Sequence, residues 1–208
     1  GEDDFSETMK IINTCGWDTD CNSGNVGCLM GIKNGLAGID SGINKGLDWR
    51  GPVADRIYLP TAEGSRGVSD CAREAVSITQ IGQRVAGEDP SAPKNGAQFH
   101  FDFPGAVQGF LATEGEGEAV NVAGNSEAGE RSLQISSDGS VHCGSPVFSP
   151  SKEVTEYFQK RGYGLMASPR IHSGQAVSAR LVAGNDGSAC LSIRSFGIDD
   201  ESQIFYGD

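Results

Sequence analysis

The sequence has few basic residues, and this scarcity excludes one large class of partners. Of its 208 residues only 16 are Lys or Arg, and no five of them stand in a row. The 28 Asp and Glu residues give a formal net charge of −12. Because an acidic surface repels the phosphates of nucleic acids, we expect no nucleic-acid partner.

Long apolar segments and paired cysteines are also missing. No stretch of 18 apolar residues exists, so we expect no membrane-spanning segment. The six cysteines have neither C-x-x-C spacing nor the density of a disulfide scaffold, which indicates reduced thiols and a cytoplasmic protein. The chain begins with Gly1 rather than Met, and we therefore expect a fragment or a processed product of a longer protein.

Glycine, by contrast, is abundant: 30 of the 208 residues are Gly, about twice the usual share. Five of them recur every three or four residues in a segment that we predict to be helical from about residue 22 to 38. Each interior Gly costs a helix about 1 kcal/mol relative to Ala. We therefore expect a neighbouring helix packed closely against this stripe, which consists of Gly24, Gly27, Gly31, Gly35 and Gly38.

Two further helices are predicted on either side of that segment. In the first, Asp3 or Asp4 caps a helix that stops near Thr14. In the other, Ser69 is the cap and Gly87 lies just after the last turn. Its apolar face comprises Cys71, Ala75, Ile78, Ile81 and Val85.

The pattern changes after a segment of linker composition at 87–96. From there apolar residues alternate with polar ones, first at Phe99, Phe101 and Phe103, and turn residues recur every eight to twelve positions or so. About eight strands and no long helix are predicted, which is typical of a β-sandwich. We therefore predict an α + β multidomain chain, helical over 1–90 and an antiparallel sandwich over 97–208.

A compact acidic motif between the first two predicted helices is the sharpest local feature. Asp18 and Asp20 lie two residues apart in Gly16-Trp17-Asp18-Thr19-Asp20-Cys21, just before a helix. Carboxylate oxygens are the ligands that Mg²⁺ and Mn²⁺ prefer. The alternative from spacing alone is that both aspartates cap the helix and complement its dipole.

The segment from Asp4 to Gly38 closely resembles the C-terminal signature of the ADP-ribosylglycohydrolase family, and roughly residues 2–86 fit the family pattern. The shared features are an acidic-Phe helix, the G-x-D-T-D element and a Gly-rich helix, here Gly27-Cys28-Leu29-Met30-Gly31. The resemblance implies an all-α body with two adjacent Mg²⁺ ions, or Mn²⁺, and hydrolysis of the glycosidic bond of ADP-ribose attached to a protein or small molecule. It assigns Asp18 and Asp20 as metal ligands.

The sequence departs from the family pattern in two respects. Cys21 occupies the position of a family Thr or Ser ligand, and a soft thiol is a poor partner for Mg²⁺. The family's other acidic cluster lies upstream of the residues present. This chain therefore holds half of the metal site, and we expect it to be inactive without the upstream half, in the same polypeptide or as a separate chain. Trp17 either stacks on adenine or ribose or packs in a core.

The second domain resembles the opening of jelly-roll carbohydrate-binding modules, through Phe101-Asp102-Phe103-Pro104-Gly105 and the segment 125–133. The resemblance implies a structural Ca²⁺ held with the help of Asp102. The alternative is an exposed acidic strand residue, since one carboxylate is a weak Ca²⁺ site. The three histidines lie at no ligand spacing and are interpreted as surface or turn residues. No Ser-His-Asp or Cys-His arrangement is recognisable.

These features predict a segment of a metal-dependent hydrolase that cleaves an ADP-ribosyl or related ribosyl glycosidic bond. Its metal ligands would be Asp18 and Asp20, with Cys21 in the third position. The alternative is a non-catalytic binding protein whose β-sandwich recognises a glycan or a protein. Cys21 and the missing upstream cluster favour the alternative, whereas the Asp-Thr-Asp element favours the enzyme.

Overall fold

The computed structural model describes residues 3–60, 66–125, 129–184, 187–196 and 202–206. The chain divides into two compact units, Gly1–Arg170 and Ile171–Asp208. Each unit is described separately below.

The first unit begins with two helices that pack against each other, α1 (Phe5–Asn13) and α2 (Thr19–Asp40). The carboxylate of Asp4 accepts a hydrogen bond from the backbone N–H of Glu7, and α1 is followed by its C-cap Thr14, as predicted. The buried core between the helices consists of Phe5, Met9 and Met30. Partly buried side chains surround it: Ile12, Val26, Ile39 and Trp49.

The Gly stripe of α2 contacts α1 at one position. A Cβ atom on Gly27 would lie 3.6 Å from Sδ and Cε of Met9, which is an ordinary van der Waals contact. No atom lies within 4 Å of such a Cβ on Gly24. Gly35 interrupts the helix with φ 63° and ψ −174°, a conformation that L side chains rarely adopt. Backbone conformation therefore accounts for Gly35, whereas the packing of α1 on α2 leaves room for a Cβ atom at Gly27.

A short antiparallel pair precedes the third helix. Strand β1 (Arg56–Tyr58) pairs with β2 (Val68–Asp70), and α3 runs from Cys71 to Val85. Asp70, one residue after the predicted Ser69, is the cap and accepts a hydrogen bond from the backbone N–H of Arg73. The prediction of Ser69 is wrong because that residue belongs to β2, opposite Ile57.

The predicted apolar face of α3 is not covered by any described part of the chain. Ile78 is 69% exposed, Ile81 53% and Val85 85%. The helix thus has the apolar pattern expected from the sequence but no core on that side.

The rest of the first unit contains small sheets and a helix. Strand β3 (Leu111–Glu114) pairs with β6 (His142–Gly144), and β4 (Glu118–Ala123) pairs with β5 (Arg131–Ser136). Helix α4 (Lys152–Lys160), capped by Ser151, was not anticipated. Phe99–Phe103 forms no strand, although the alternation predicted one, and Phe101 has φ 57°.

The second unit contains one strand pair among its described residues, β7 (Ser192–Phe196) with β8 (Ser202–Tyr206). Val177, Ala179 and Leu181 alternate with polar residues as in a strand, but residues 177–181 form none. Every sheet in the described part of the chain has two antiparallel strands. Both the all-α body and the jelly-roll sandwich therefore stay predictions.

The linker predicted at 87–96 lies inside the first unit, and hydrogen bonds connect the residues before and after it. The carboxylate of Asp55 accepts bonds from the backbone N–H groups of Val107 (2.6 Å) and Gln108 (2.8 Å). Arg50 donates to the carbonyl oxygen of Pro104 at 2.7 Å. The division into domains 1–90 and 97–208 stays a prediction. Among the described residues, no helix is both long and apolar enough to cross a membrane.

Candidate metal site and a buried polar cluster

The two aspartates of the acidic motif and the following cysteine form one cluster. One ligand atom from each of Asp18, Asp20 and Cys21 lies within 4.8 Å of the others, and all three residues are exposed. They occupy the loop and first turn at the start of α2, so their proximity follows from local backbone geometry. The cluster offers two carboxylates and a thiol to a cation.

Asp18 does not cap α2 in the way that the alternative interpretation requires. It occupies the N-cap position, but its side chain makes no capping hydrogen bond, and its backbone is left-handed with φ 49° and ψ 44°. Its carbonyl oxygen accepts the first helical hydrogen bond from the N–H of Asn22 at 3.0 Å. The Asp18 carboxylate is therefore not committed to the helix backbone.

The two aspartates affect the pKa of the Cys21 thiol. A hydrogen bond with Asp18, followed by the charges of Asp18 and Asp20, raises the pKa of Cys21 above its ordinary value of 9.0. The thiol is thus protonated at neutral pH, and in that form it is a poor ligand for a hard cation. The two carboxylates are the effective ligands of the cluster.

Trp17, next to the cluster, is 83% exposed. The sequence left two interpretations open for Trp17. Packing in a core is wrong as far as the described residues are concerned, because most of the side chain is exposed. The indole is in solvent beside the carboxylates, where it is free to contact a ligand.

Asp102 lies far from the first cluster in sequence and faces a basic side chain. Its Oδ1 is 3.4 Å from Nζ of Lys94, and it accepts a hydrogen bond from the backbone N–H of Arg131 at 3.3 Å. Nζ of Lys94 also donates to the carbonyl oxygens of His100 and Arg131, each at 2.5 Å. Asp102 is not the exposed strand residue of the alternative interpretation. An ammonium group binds the oxygens near which Ca²⁺ was expected, and the Ca²⁺ site stays a prediction.

His100 corrects the interpretation of the histidines as surface or turn residues, because it is 3% exposed. Its Nδ1 accepts a hydrogen bond from the backbone N–H of Asp102 at 3.0 Å, which places the proton of the neutral ring on Nε2. Burial lowers the pKa of His100 below its ordinary value of 6.5, against the opposing charges of Asp102 and Asp70. The ring is therefore neutral at pH 7.

Five buried polar residues of the first unit form a network that the sequence did not predict. Gln108 is fully buried, and its Oε1 accepts hydrogen bonds from the backbone N–H groups of His100 (2.7 Å) and Phe101 (2.9 Å). Its Nε2 donates to Oδ1 of Asp70 at 3.2 Å. Oδ2 of Asp70 accepts from Nη2 of Arg170 at 2.9 Å. We call these residues, Asp55, Asp70, His100, Gln108 and Arg170, the buried polar cluster.

Only one local signal pointed to this cluster. An Asp directly before a helical pattern is a favoured cap, and Asp70 has that role. Nothing in the spacing of the other four residues links them to Asp70 or to one another.

Comparison of the chain with protein-family models, with curated proteins and with solved structures finds no match in any of the three.

Proposed function

We propose that this chain supplies a carboxylate pair of the divalent-metal site of a hydrolase that cleaves a ribosyl glycosidic bond. The observation that carries the proposal is the cluster of Asp18, Asp20 and Cys21, whose ligand atoms lie within 4.8 Å of one another. The ADP-ribosyl nature of the substrate rests on the family resemblance alone.

The charge balance at this position favours a cation. The N-terminus of a helix carries a partial positive charge of about half a unit, which disfavours cations. The two carboxylates of Asp18 and Asp20 carry two full negative charges, which exceed that partial positive charge. The absence of a capping bond from the Asp18 side chain leaves its oxygens available.

The donor set fits a hard divalent ion in chemical type but is incomplete in number. Mg²⁺ takes six oxygen ligands in near-octahedral geometry, commonly one or two of them carboxylates and several of them water. Asp18 and Asp20 provide the carboxylates, and the proposal places further ligands on the upstream half. A divalent ion at such a site orients hydroxyl groups and lowers the pKa of a bound water.

The neighbouring residues have secondary roles in this proposal. The exposed indole of Trp17 is placed to stack on the base or ribose of the substrate. Cys21 binds the ion weakly because its sulfur is a soft ligand, so Cys21→Thr should strengthen Mg²⁺ binding by restoring a hydroxyl.

The decisive experiment measures Mn²⁺ binding to the full chain by electron paramagnetic resonance. Asp20→Asn keeps the size of the side chain and removes one charged ligand, so we expect the affinity for Mn²⁺ to fall at least tenfold. Asp89→Asn, at an exposed site outside the cluster, is the matched control and should bind as the wild type does. Circular dichroism should show an unchanged fold in both variants.

The opposite outcome is equally clear. If Asp20→Asn and Asp89→Asn bind Mn²⁺ equally well, the metal site is wrong and the non-catalytic binding protein takes its place. When the chain is combined with an upstream half, in one polypeptide or as a separate chain, we expect Asp20→Asn to lower hydrolysis of ADP-ribosylated protein by orders of magnitude.

A further inference from the structure

A cavity of about 470 Å³ opens beside the buried polar cluster, within the first unit. Its wall includes three guanidinium groups, those of Arg66, Arg73 and Arg170, and the imidazole of His100. Among the described residues that line it, none is Asp or Glu. In a chain with a net charge of −12, this collection of basic groups is unusual.

Three of the side chains that line this cavity each carry a buried, unpaired nitrogen atom. Nη1 of Arg73, Nε2 of His100 and Nε of Arg170 have no hydrogen-bond partner among the described residues. Leaving a buried donor unpaired costs about 1–3 kcal/mol, and folded proteins rarely do so without reason. The three donors thus indicate an acceptor that is supplied from outside the chain.

Two of the three donor groups, those of His100 and Arg170, are held in place within the buried polar cluster. Arg170 is fixed by Asp70 and lies over the ring of Phe99, with Cζ 4.7 Å from the ring centroid. The hydrogen bond from Asp102 to Nδ1 of His100 directs the ring proton to Nε2. Nε of Arg170 and Nε2 of His100 would therefore break no existing hydrogen bond when they donate to a ligand.

The carboxylates near the cavity do not neutralise all of its positive charge. Asp70 pairs with Arg170 at 2.9 Å, and Glu74 pairs with Arg66 at 3.4 Å. Within the described part of the chain Arg73 forms no ion pair, and its backbone N–H donates to the carboxylate of Asp70. Of the three guanidinium groups that line the cavity, that of Arg73 is therefore the one without a carboxylate partner among the described residues.

We infer that this cavity is a binding site for a phosphate monoester of a small organic molecule. Three unpaired donors on three separate side chains suit the three terminal oxygens of a phosphate, whereas a carboxylate has two. Arginine is the residue that proteins use most readily for such oxyanions. The volume lies within the range of small-molecule sites and leaves room for an organic group beyond the phosphate. This inference is independent of Asp18 and Asp20.

Calorimetric titration of the full chain tests the inference, with a hexose monophosphate as the probe and a hexuronate as its carboxylate counterpart. Ionic strength is held constant with chloride. We expect saturable binding of the phosphate and at least tenfold weaker binding of the hexuronate. Equal or tighter binding of the hexuronate, or no saturation with the phosphate, would overturn the inference.

Variants on α3 locate the site. Arg73→Gln removes the least neutralised guanidinium and should weaken binding of the hexose monophosphate about tenfold to a hundredfold, the usual range for a lost charged hydrogen bond. Arg84→Gln makes the same charge change on the same helix, outside the residues that line the cavity, and should bind within twofold of the wild type. If both variants weaken binding of the hexose monophosphate equally, the effect comes from the net charge of the chain rather than from the cavity, and the inference is contradicted.

A spectroscopic measurement on the wild type covers the case in which Arg73→Gln fails to fold. Addition of the hexose monophosphate should shift the ¹H–¹⁵N resonances of the Nε–H of Arg170 and the Nε2–H of His100, with saturation at the calorimetric affinity. Saturable binding that leaves both resonances unmoved would place the ligand elsewhere and refute the site.

Discussion

Arg170 donates a hydrogen bond of 2.9 Å to Asp70, which stands 100 residues earlier in the chain, and both side chains are 1% exposed. Asp70 also caps α3 and accepts from Gln108. This ion pair connects the start of a helix with the last residue of the first unit. Because the pair is shielded from water, removing either side chain would leave the other charge buried without a partner.

Removing the basic partner should therefore destabilise the first unit severely. We expect Arg170→Met to lower the free energy of unfolding by about 3–5 kcal/mol, because the carboxylate of Asp70 is left buried and unpaired. Urea denaturation measures the loss, and exposed Arg84→Met should change it by less than about 0.5 kcal/mol. Adding Asp70→Asn to Arg170→Met should recover part of the stability. A loss below about 1 kcal/mol for Arg170→Met would contradict this account.

Limited proteolysis tests whether the segment 87–96 separates two independent domains. The bonds from Arg50 to Pro104, from Val107 and Gln108 to Asp55, and from Arg170 to Asp70 all connect the pieces on either side of it. We expect protein cleaved between residues 87 and 96 to elute as one species on size exclusion, since these contacts survive the cut. Release of a folded 97–208 fragment would instead support the domain boundary predicted from the sequence.

His100 should make stability depend on pH on the acidic side of neutrality. Burial lowers its folded-state pKa below 6.5, and Asp102, Asp70, Lys94 and Arg170 surround it without reversing that direction. As pH falls below about 6.5, the unfolded chain takes up a proton that the native chain does not, so the free energy of unfolding decreases. Above 6.5 this contribution is fully present.

The comparison that isolates this contribution is His100→Asn, whose amide oxygen can replace Nδ1 as the acceptor from Asp102. Between pH 6.5 and 5 the wild type should lose more stability than His100→Asn, as measured by urea denaturation at each pH. Parallel pH profiles for the two proteins would show that His100 does not titrate as described.

Lys94 should compete with Ca²⁺ for the oxygens around Asp102. Its ammonium group contacts that carboxylate and two backbone carbonyl oxygens. If Asp102 belongs to a Ca²⁺ site, Lys94→Met should raise the affinity for Ca²⁺ about tenfold or more, since one positive charge beside the site is removed. Thermal unfolding with and without Ca²⁺ measures the effect. If Ca²⁺ raises the melting temperature of the double variant Lys94→Met, Asp102→Asn as much as that of Lys94→Met, Asp102 is excluded as a ligand.

Local features of this protein were predictable because they depend on neighbours in sequence. The ends of α1 follow from Asp4 and Thr14, and Gly87 follows α3 with φ 79°. The proximity of Asp18 and Asp20 likewise follows from their spacing and the helix that begins beside them. Here the backbone within a few residues decides the geometry.

Contacts with residues distant in sequence explain two wrong predictions, the helix cap at Ser69 and the strand at Phe99–Phe103. Ser69 is as good a cap as Asp70 by residue type, but pairing with β1 takes Ser69 into a strand. The alternation at Phe99–Phe103 favours a strand, yet Gln108 binds the backbone N–H groups of His100 and Phe101 with its side chain and leaves none for a neighbouring strand. Distant partners overrode a correct local preference in both cases.

The sequence by itself determined the helices of the first 86 residues, the acidic motif and the negative charge of the chain. Only the tertiary structure decided that Asp70, Gln108 and Arg170 meet, that His100 is buried, and that three unpaired donors line one cavity. The physical reason is range. A cap or an i, i+2 pair is fixed by a few backbone torsions, whereas a contact across 100 residues depends on how the whole unit packs.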